Sequence, residues 1–298
     1  MPAQRLGGGR IRGLVVGMQF PREVPLSTEA YEFLARLIYE RSRIRIGPDR
    51  QSLVSGRLGQ RLRTLGLDDY GQYCSLLRSA GGEDEIGALI DLITTNHTEF
   101  FREADHFEIL SRNILPAASG RLAGSVRPFR VWSAAASSGE EVYSLAIVLA
   151  EFARQRPGFA WRIDASDISM RMLDRCRRGI YPAARVRLPD PEWLPRYFQR
   201  GIGEREGYDR VKAEVRQHIA VHHINLFQPR YDVLPGLDVI FCRNVMIYFD
   251  LESREALVER LTEQLVPGGY LFVGLSENLV GVRHGLKSVW PSVYMRPE

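Results

Sequence analysis

The small residues from Ser133 to Gly139 join an apolar stretch, Phe129 to Trp132, to a second apolar segment that opens with Glu140 and Glu141. The pattern predicts a strand, a turn with few side chains and a helix, so a ligand can lie against bare backbone. Helix N-termini usually attract anions. Two carboxylates there favour a ligand with a cationic amine over a phosphate. The alternative is an ordinary turn whose acids only stabilise the helix.

Polar side chains also follow the next predicted strands of this region. Asp167 follows the second strand, Asn225 the third, and Arg243 and Asn244 the fourth. Ligands of parallel sheets bind at the carboxyl ends of the strands, where the strand order reverses. The candidates at this edge are Gly139, Glu140, Asp167, Asn225, Arg243 and Asn244.

An acid placed like Asp167 can accept hydrogen bonds from both hydroxyls of a ribose, although it can equally cap the following helix. The turn AAASSG lacks the GxGxxG pattern of dinucleotide sites, and the chain has no P-loop. A nucleoside whose other end is cationic and zwitterionic fits the acids better than a pyrophosphate. S-adenosylmethionine is such a molecule.

Length and composition are those of an ordinary soluble globular protein. The 298 residues predict two domains, and no run is long and apolar enough to span a membrane. Arginine supplies 38 of the 40 basic residues, since Lys212 and Lys287 are the only lysines, and the net charge of +4 does not indicate nucleic-acid binding. Three separated cysteines fit a reducing cytoplasm. The histidines lack zinc spacing, so we expect no metal.

The first part of the chain is predicted to be helical. Residues 1–24 are rich in Gly and Arg and are expected to be a disordered tail, followed by an all-α domain over residues 25–93. Arg50, Arg57 and Arg61 form a stripe on its second predicted helix. A solvated helix face is the simpler interpretation of this stripe, and docking onto an acidic partner is the more specific one.

Residues 94–128 contain a polar and aromatic segment, TTNHTEFFREADHF, and then a linker rich in Gly, Ser and Pro. Two adjacent phenylalanines beside Arg102 indicate a partly buried arginine, which needs a carboxylate partner. That partner is either a ligand carboxylate or the neighbouring Glu103.

Residues 129–298 alternate strand and helix, which predicts an α/β domain with a parallel sheet. Residues 179–217 interrupt the alternation and are expected to form an inserted subdomain. A helix over 252–265 is expected to end at Pro267, Gly268 and Gly269, and one strand over 289–295 is expected to close the sheet.

Several long motifs resemble those of one known family, in the family's order. They are TTNHTEFFRE, RVWSAAASSGEEVYSLA, ASDIS, FCRNVMIYFD and GLSEN. The chain resembles the CheR family of S-adenosylmethionine-dependent methyltransferases, which esterify glutamates of bacterial chemoreceptors, over roughly residues 27–295. The resemblance implies a Rossmann-like class I methyltransferase sheet with an inserted small antiparallel β-subdomain, preceded by an all-α domain.

The resemblance also implies roles for residues at the matching positions. The cofactor and its product S-adenosylhomocysteine would contact Asn96, Thr98, Arg102, Glu140 or Glu141, Asp167, Asn225, Leu226, Arg243 and Asn244. Tyr248 would face the transferred methyl group with Arg102 nearby. Val142 stands where the family usually has proline. This departure puts little in doubt, because proline suits the first helical turn without being essential there.

The implied partners are chemoreceptors. Arg50, Arg57 and Arg61 would contact the receptor signalling domain, and the inserted subdomain, with its loop Arg200 to Gly207, would bind a receptor C-terminal peptide. A cytoplasmic monomer recruited to membrane-bound receptor arrays is expected. The alternatives are methylation of another protein or of RNA, and a non-catalytic S-adenosylmethionine sensor.

Overall fold

A computed structural model describes residues 24–298 of the chain. The predicted disordered tail therefore lies, apart from its last residue, outside the described residues. In the part of the chain that is described, no helix is long and apolar enough to cross a bilayer.

The N-terminal helices form an all-α unit. The helices are α1 (Thr28–Ser42), α2 (Gln51–Leu65), α3 (Tyr70–Arg78) and α4 (Glu83–Ile93). Ser27 caps α1, its hydroxyl accepting a hydrogen bond from the Ala30 N–H at 3.2 Å. Apolar side chains spaced three or four residues apart on each helix, such as Leu34 and Ile38, are fully buried in one core.

A helical stretch leads from the polar and aromatic segment to the sheet. It consists of α5 (Asp105–Ile109), a π-helical turn (Leu110–Ile114) and α6 (Leu115–Arg121). The linker before the sheet is therefore only residues 122–128.

The second domain is built on a seven-stranded sheet in the order β6-β2-β1-β7-β8-β10-β9. Its strands are β1 (Phe129–Ser133), β2 (Trp161–Asp167), β6 (Ile219–His223), β7 (Leu237–Phe241), β8 (Leu265–Phe272), β9 (Lys287–Trp290) and β10 (Val293–Met295). The first five strands in this order pair in parallel. The strand β10 pairs antiparallel with both of its neighbours, β8 and β9. The order reverses between β1 and β7, which places a crevice at their carboxyl ends.

Alternating apolar side chains bury both faces of the sheet. Phe129 and Val131 of β1 pack with α7 (Glu140–Gln155), whereas Trp132 packs with α11 (Leu251–Gln264) on the other face. The helix α8 (Met170–Arg178) follows β2. Both cores therefore hold the β1 carboxyl end rigidly.

The insertion forms a three-stranded antiparallel sheet in the order β3-β5-β4, as the family resemblance implies. Its strands are β3 (Ile180–Pro182), β4 (Phe198–Arg200) and β5 (Tyr208–Val211), with the short helices α9 (Trp193–Tyr197) and α10 (Ala213–Arg216).

The elements near the C-terminus differ from the prediction in detail. The helix predicted over residues 252–265 is α11, within one residue at each end, but the chain is extended from Leu265, which pairs with Leu237 of β7. Pro267 to Gly269 then lie inside β8, where the β7 register shifts. The predicted last strand is a hairpin, since Ser292 turns the chain with a φ of 57° between β9 and β10.

The α1 region closes over the carboxyl end of the sheet. The Tyr39 hydroxyl donates to the Asp250 carboxylate at 2.6 Å, and the Arg45 N–H donates to the Tyr248 carbonyl at 2.9 Å. The all-α domain therefore forms one wall of the space above the strand ends.

The predicted arginine stripe has internal partners. Arg50 is exposed in a 3₁₀ turn ahead of α2. Arg57 donates to the Thr94 carbonyl at 3.2 Å and to the Ile93 carbonyl, which satisfies the end of α4. Arg61 binds the buried Glu85 carboxylate with two hydrogen bonds of 3.0 and 2.5 Å. Two of the three arginines thus hold α2 against α4.

Arg61→Ala should lower the free energy of unfolding by about 2 kcal/mol, because Glu85 loses the cation that compensates for its burial. Arg63→Ala removes an exposed arginine from the same helix and should cost less than about 0.5 kcal/mol. Urea unfolding followed by circular dichroism measures both values. Equal losses for the two variants would contradict a supporting role for Arg61.

Candidate functional site

One cleft lies above the strand reversal. This is the usual place for a ligand in a parallel sheet. The predicted residues that line it are Asn96, Thr98, Arg102, Glu141, Asp167, Asn225, Leu226, Arg243, Asn244 and Tyr248. Glu140 does not line the cleft, and neither do Arg50, Arg57 and Arg61.

The β1–α7 turn gives the cleft a floor of small residues, among them Ala134, Ala135 and Ser137. Gly139 ends this turn with a φ of 98°, and a Cβ there would lie 2.7 Å from the Cys176 sulfur. Only glycine fits that position without strain, so the close packing of turn and α8 explains this residue.

Asp167 holds the turn and also faces the cleft. Its Oδ2 accepts from the Ser137 N–H at 2.8 Å, and its Oδ1 accepts from the Ser169 N–H at 2.9 Å. Burial raises the pKa of Asp167, although these hydrogen bonds oppose the shift. Each carboxylate oxygen keeps a second lone pair for a ligand hydroxyl. Both interpretations of this acid, the cap and the ligand contact, are therefore compatible.

The two acids at the start of α7 point to different places. Glu140 is buried, and its Oε2 accepts from the Ser138 hydroxyl at 2.6 Å. Glu141 lines the cleft, where it accepts from the Ser133 hydroxyl at 2.7 Å and from Arg243 at 3.2 Å. Sequence alone left the choice between them open, and the structure brings Glu141 to the cleft.

Arg243 is the buried cation of the site. Its side chain is 1% exposed and lies 2.9 Å from Glu103 and 3.2 Å from Glu141. It also donates to the Arg102 carbonyl at 2.5 Å. A charge this deep must be paired, so these contacts fix the relative positions of three chain segments.

The two carboxylates beside Arg243 differ in their surroundings. Burial raises the pKa of Glu141, and Arg243 and the Ser133 hydroxyl only partly oppose it. Burial also acts on Glu103, but Arg243, the Asn244 amide and the Leu275 N–H together lower its pKa below the usual range. Glu103 is therefore the permanent partner of Arg243, and Glu141 is the acid that gains most from an added cation.

The segment around Arg102 is held in an unusual backbone conformation. Phe101 and Glu103 have positive φ values of 54° and 57°, which L-residues rarely adopt. The Arg102 side chain lines the cleft and donates to the His97 carbonyl at 3.1 Å. Glu103, one of its two predicted partners, pairs with Arg243 instead.

His106 packs behind this ion pair. It is fully buried, edge-on to Phe272, with its Nδ1 3.5 Å from Glu103. Burial, with a smaller contribution from the charge of Arg243, lowers the pKa of His106 to about 4. The imidazole is therefore neutral at physiological pH and leaves the Glu103–Arg243 pair as the charged unit.

The opposite end of the cleft is apolar and joins both domains. Ile168, Leu226 and Phe227 line it. The Asn225 amide donates to the Arg41 carbonyl of α1 at 2.6 Å, and its oxygen accepts from the Phe227 N–H at 3.0 Å. Such a slot can hold a planar base between apolar side chains.

No role was predicted for Glu277 from the sequence, although this residue lies in the motif GLSEN. This acid is 3% exposed and accepts from the Gly274 N–H at 2.9 Å, the Ile247 N–H at 3.1 Å and the Asn244 N–H. It thereby holds the loop that carries Asn244 and Tyr248. Its place in GLSEN, three residues after Gly274, was the signal that could have revealed it.

Within residues 24–298, no group of three or more His, Cys, Asp or Glu side chains is arranged to hold a metal ion.

Comparison with known proteins identifies two family domains in the chain. The family model for the all-alpha domain of CheR methyltransferases matches residues 29–94, and the model for their SAM binding domain matches residues 96–294. Chemotaxis protein methyltransferases of Salmonella typhimurium and Escherichia coli are 42% and 41% identical over 261 residues, which cover 88% of this chain and 88% of each relative. A third relative, chemotaxis protein methyltransferase 2 of Pseudomonas aeruginosa, is 38% identical. The aligned residues cover 92% of this chain and 95% of that relative. The sheet and its antiparallel insertion are those of a class I methyltransferase, and the chain belongs to the CheR methyltransferase family.

Proposed function

We propose that this protein transfers a methyl group from S-adenosylmethionine to glutamate side chains of chemoreceptors and forms glutamate methyl esters. The observation that carries the proposal is the single cleft that unites Glu141, Asp167, Arg102 and Tyr248. The names of the relatives, chemotaxis protein methyltransferases, support the chemoreceptor as the substrate class.

The cleft residues fit the cofactor part by part. Glu141, with a carboxylate that lacks full compensation, would bind the methionyl amine. The free lone pairs of Asp167 would accept from the ribose hydroxyls, and the slot of Ile168, Leu226 and Phe227 would hold the adenine. Asn96, Thr98, Arg102, Asn225, Arg243 and Asn244 complete the proposed set. When bound, S-adenosylmethionine supplies an electrophilic methyl group on a sulfonium.

The acceptor needs no general base, because an exposed glutamate is already ionised at neutral pH. The protein has to align this carboxylate with the methyl group and remove its water. Tyr248 and Arg102 lie at the cleft and are the groups that orient the reacting atoms. Well-oriented reactants can gain about 7–11 kcal/mol over free ones, so positioning is a sufficient source of catalysis.

Two surfaces are proposed for the receptor. The first is the stripe of Arg50, Arg57 and Arg61, which would face the acidic signalling domain of the receptor. Arg50 is exposed, and Arg57 and Arg61 would face that domain while they keep their contacts within the all-α domain. The edge of the small β-sheet, beside the loop of residues 201–207, would add a receptor C-terminal peptide as a further strand. The protein would then work as a cytoplasmic monomer that is recruited to membrane-bound receptor arrays.

The direct test is transfer of a tritiated methyl group from S-adenosylmethionine to chemoreceptor-enriched membranes. We expect label on the receptor band, released as methanol by mild base because the product is an ester. Label that resists base, or that appears on RNA and not on protein, would contradict the proposal.

Replacing Glu141 by Gln should weaken binding of S-adenosylhomocysteine about tenfold or more, since a charge-assisted hydrogen bond to the amine is lost. Glu140→Gln changes the adjacent acid, which points away from the cleft, and should alter affinity by less than about twofold. Isothermal titration calorimetry measures both constants. A larger effect at Glu140 would reverse the assignment.

Tyr248→Phe should reduce turnover about a hundredfold through loss of alignment while leaving cofactor affinity nearly unchanged. Single-turnover methylation of receptor membranes and calorimetry with S-adenosylhomocysteine separate the two quantities. Full turnover in the variant would show that the hydroxyl of Tyr248 has no part in the reaction.

A further inference from the structure

Two apolar side chains stand in solvent at the mouth of the cleft. Ile247 is 55% exposed and Leu275 is 50% exposed. The Glu277 carboxylate holds their loops together, because it accepts from the Ile247 N–H at 3.1 Å and from the Gly274 N–H at 2.9 Å. Ile247 precedes Tyr248 in the chain, and the Leu275 N–H donates to Glu103 at 3.2 Å. The backbones of Ile247 and Leu275 therefore lie beside Tyr248 and Glu103, and their exposed side chains stand next to the residues that line the cleft.

A cation lies at the same mouth, on the loop that follows α1. The Arg45 N–H donates to the Tyr248 carbonyl at 2.9 Å, which ties this loop to the tyrosine that is proposed to orient the reacting atoms. The Arg45 side chain is exposed. Among residues 24–298 its guanidinium makes no hydrogen bond or close ion pair, although its charge is near enough to Asp250 to help lower the pKa of that acid. In this respect it differs from Arg57 and Arg61, whose charges have partners within the all-α domain.

The position of these residues determines what can cover them. A glutamate that belongs to another protein reaches Tyr248 only if the chain that bears it lies across the mouth of the cleft. The bordering surface offers that chain two exposed aliphatic groups and an exposed positive charge. An amphipathic segment with a second acid near the acceptor is complementary to both.

We propose that Arg45, Ile247 and Leu275 form an acceptor-docking rim that binds an acidic, amphipathic segment around the methylated glutamate. The proposal rests on the proposed function and adds to it the residues that select the acceptor site. Arg45 pairs with an acid close to the acceptor, and Ile247 and Leu275 cover apolar side chains of the same segment.

The test compares matched substitutions in the full chain, with receptor-enriched membranes as the substrate. Arg45→Glu should raise the KM for receptor about tenfold, since reversal of a charge at the rim of an interface weakens association with an acidic partner. Arg156→Glu makes the same change at the end of α7, a helix of about 24 Å that runs away from the cleft. This control should leave KM within about twofold of the unsubstituted value.

A second pair of variants tests the apolar part of the rim. Leu275→Asn should raise the same KM about fivefold, whereas Val126→Asn alters a fully exposed apolar residue ahead of β1 and should have little effect. Calorimetry with S-adenosylhomocysteine should give the same affinity for all four variants, which shows that the cleft is intact. Arg45→Gln, a milder change, should fall between Arg45→Glu and the unsubstituted chain.

Charge exchange identifies the partner group. A receptor in which an acid within four positions of the acceptor glutamate is replaced by Arg should be methylated better by Arg45→Glu than by the unsubstituted chain. Unchanged KM values in Arg45→Glu and Leu275→Asn, with normal methylation by the unsubstituted chain, would overturn the rim and leave the proposed function standing. Absence of methylation by the unsubstituted chain would overturn both.

Discussion

A guanidinium with almost no access to solvent must be neutralised where it lies, and Arg243 imposes this requirement on the centre of the molecule. It meets Glu103, which lies ahead of α5, and Glu141 of α7, while its own backbone follows β7. Three segments that are distant in sequence are therefore held at the carboxyl ends of the central strands. The two acids are not equivalent, because Glu103 is fully compensated and Glu141 retains a pKa raised by burial. The cleft is thus prepared to accept one more positive charge beside Glu141.

Carboxylates that accept backbone hydrogen bonds complete this arrangement. Asp167 fixes the β1–α7 turn through the Ser137 N–H. Glu277 fixes the loop before Tyr248 through the N–H groups of Asn244 and Ile247, and it ties this loop to Gly274 through a third N–H. Such contacts hold loops in single conformations, so the groups that would contact cofactor and acceptor are positioned before either arrives. The cost is backbone strain at Phe101 and Glu103, which the packing around Arg102 maintains. Positioning, rather than acid–base chemistry, is what this site offers to methyl transfer.

The parallel sheet and the crevice could be predicted from the sequence, because alternating strands and helices are visible as local patterns. Ligands of such sheets bind at the carboxyl ends of the strands, so the residues that follow each strand could also be selected. Asp167, Asn225 and Arg243 could be placed in this way. The choice between Glu140 and Glu141 could not, since adjacent helical residues point about 100° apart and only packing decides which one faces the cleft. Long-range partners were likewise hidden: Glu103 was considered for Arg102 and pairs with Arg243. The start of β8 at Leu265, ahead of Pro267, was not predicted, because pairing of Leu265 with β7 outweighs the local signal of Pro267.

The central claim is that one preorganised cleft binds a sulfonium nucleoside between Glu141 and Asp167, with Arg243 holding its walls. The most direct measurement is a crystal structure of the complex with S-adenosylhomocysteine. The account predicts the amine on Glu141, the ribose hydroxyls on Asp167, the adenine beside Leu226, and the Arg243 pairs with Glu103 and Glu141 retained. A nucleoside bound elsewhere, or a cleft that must break the Arg243 pairs to admit it, would contradict the account.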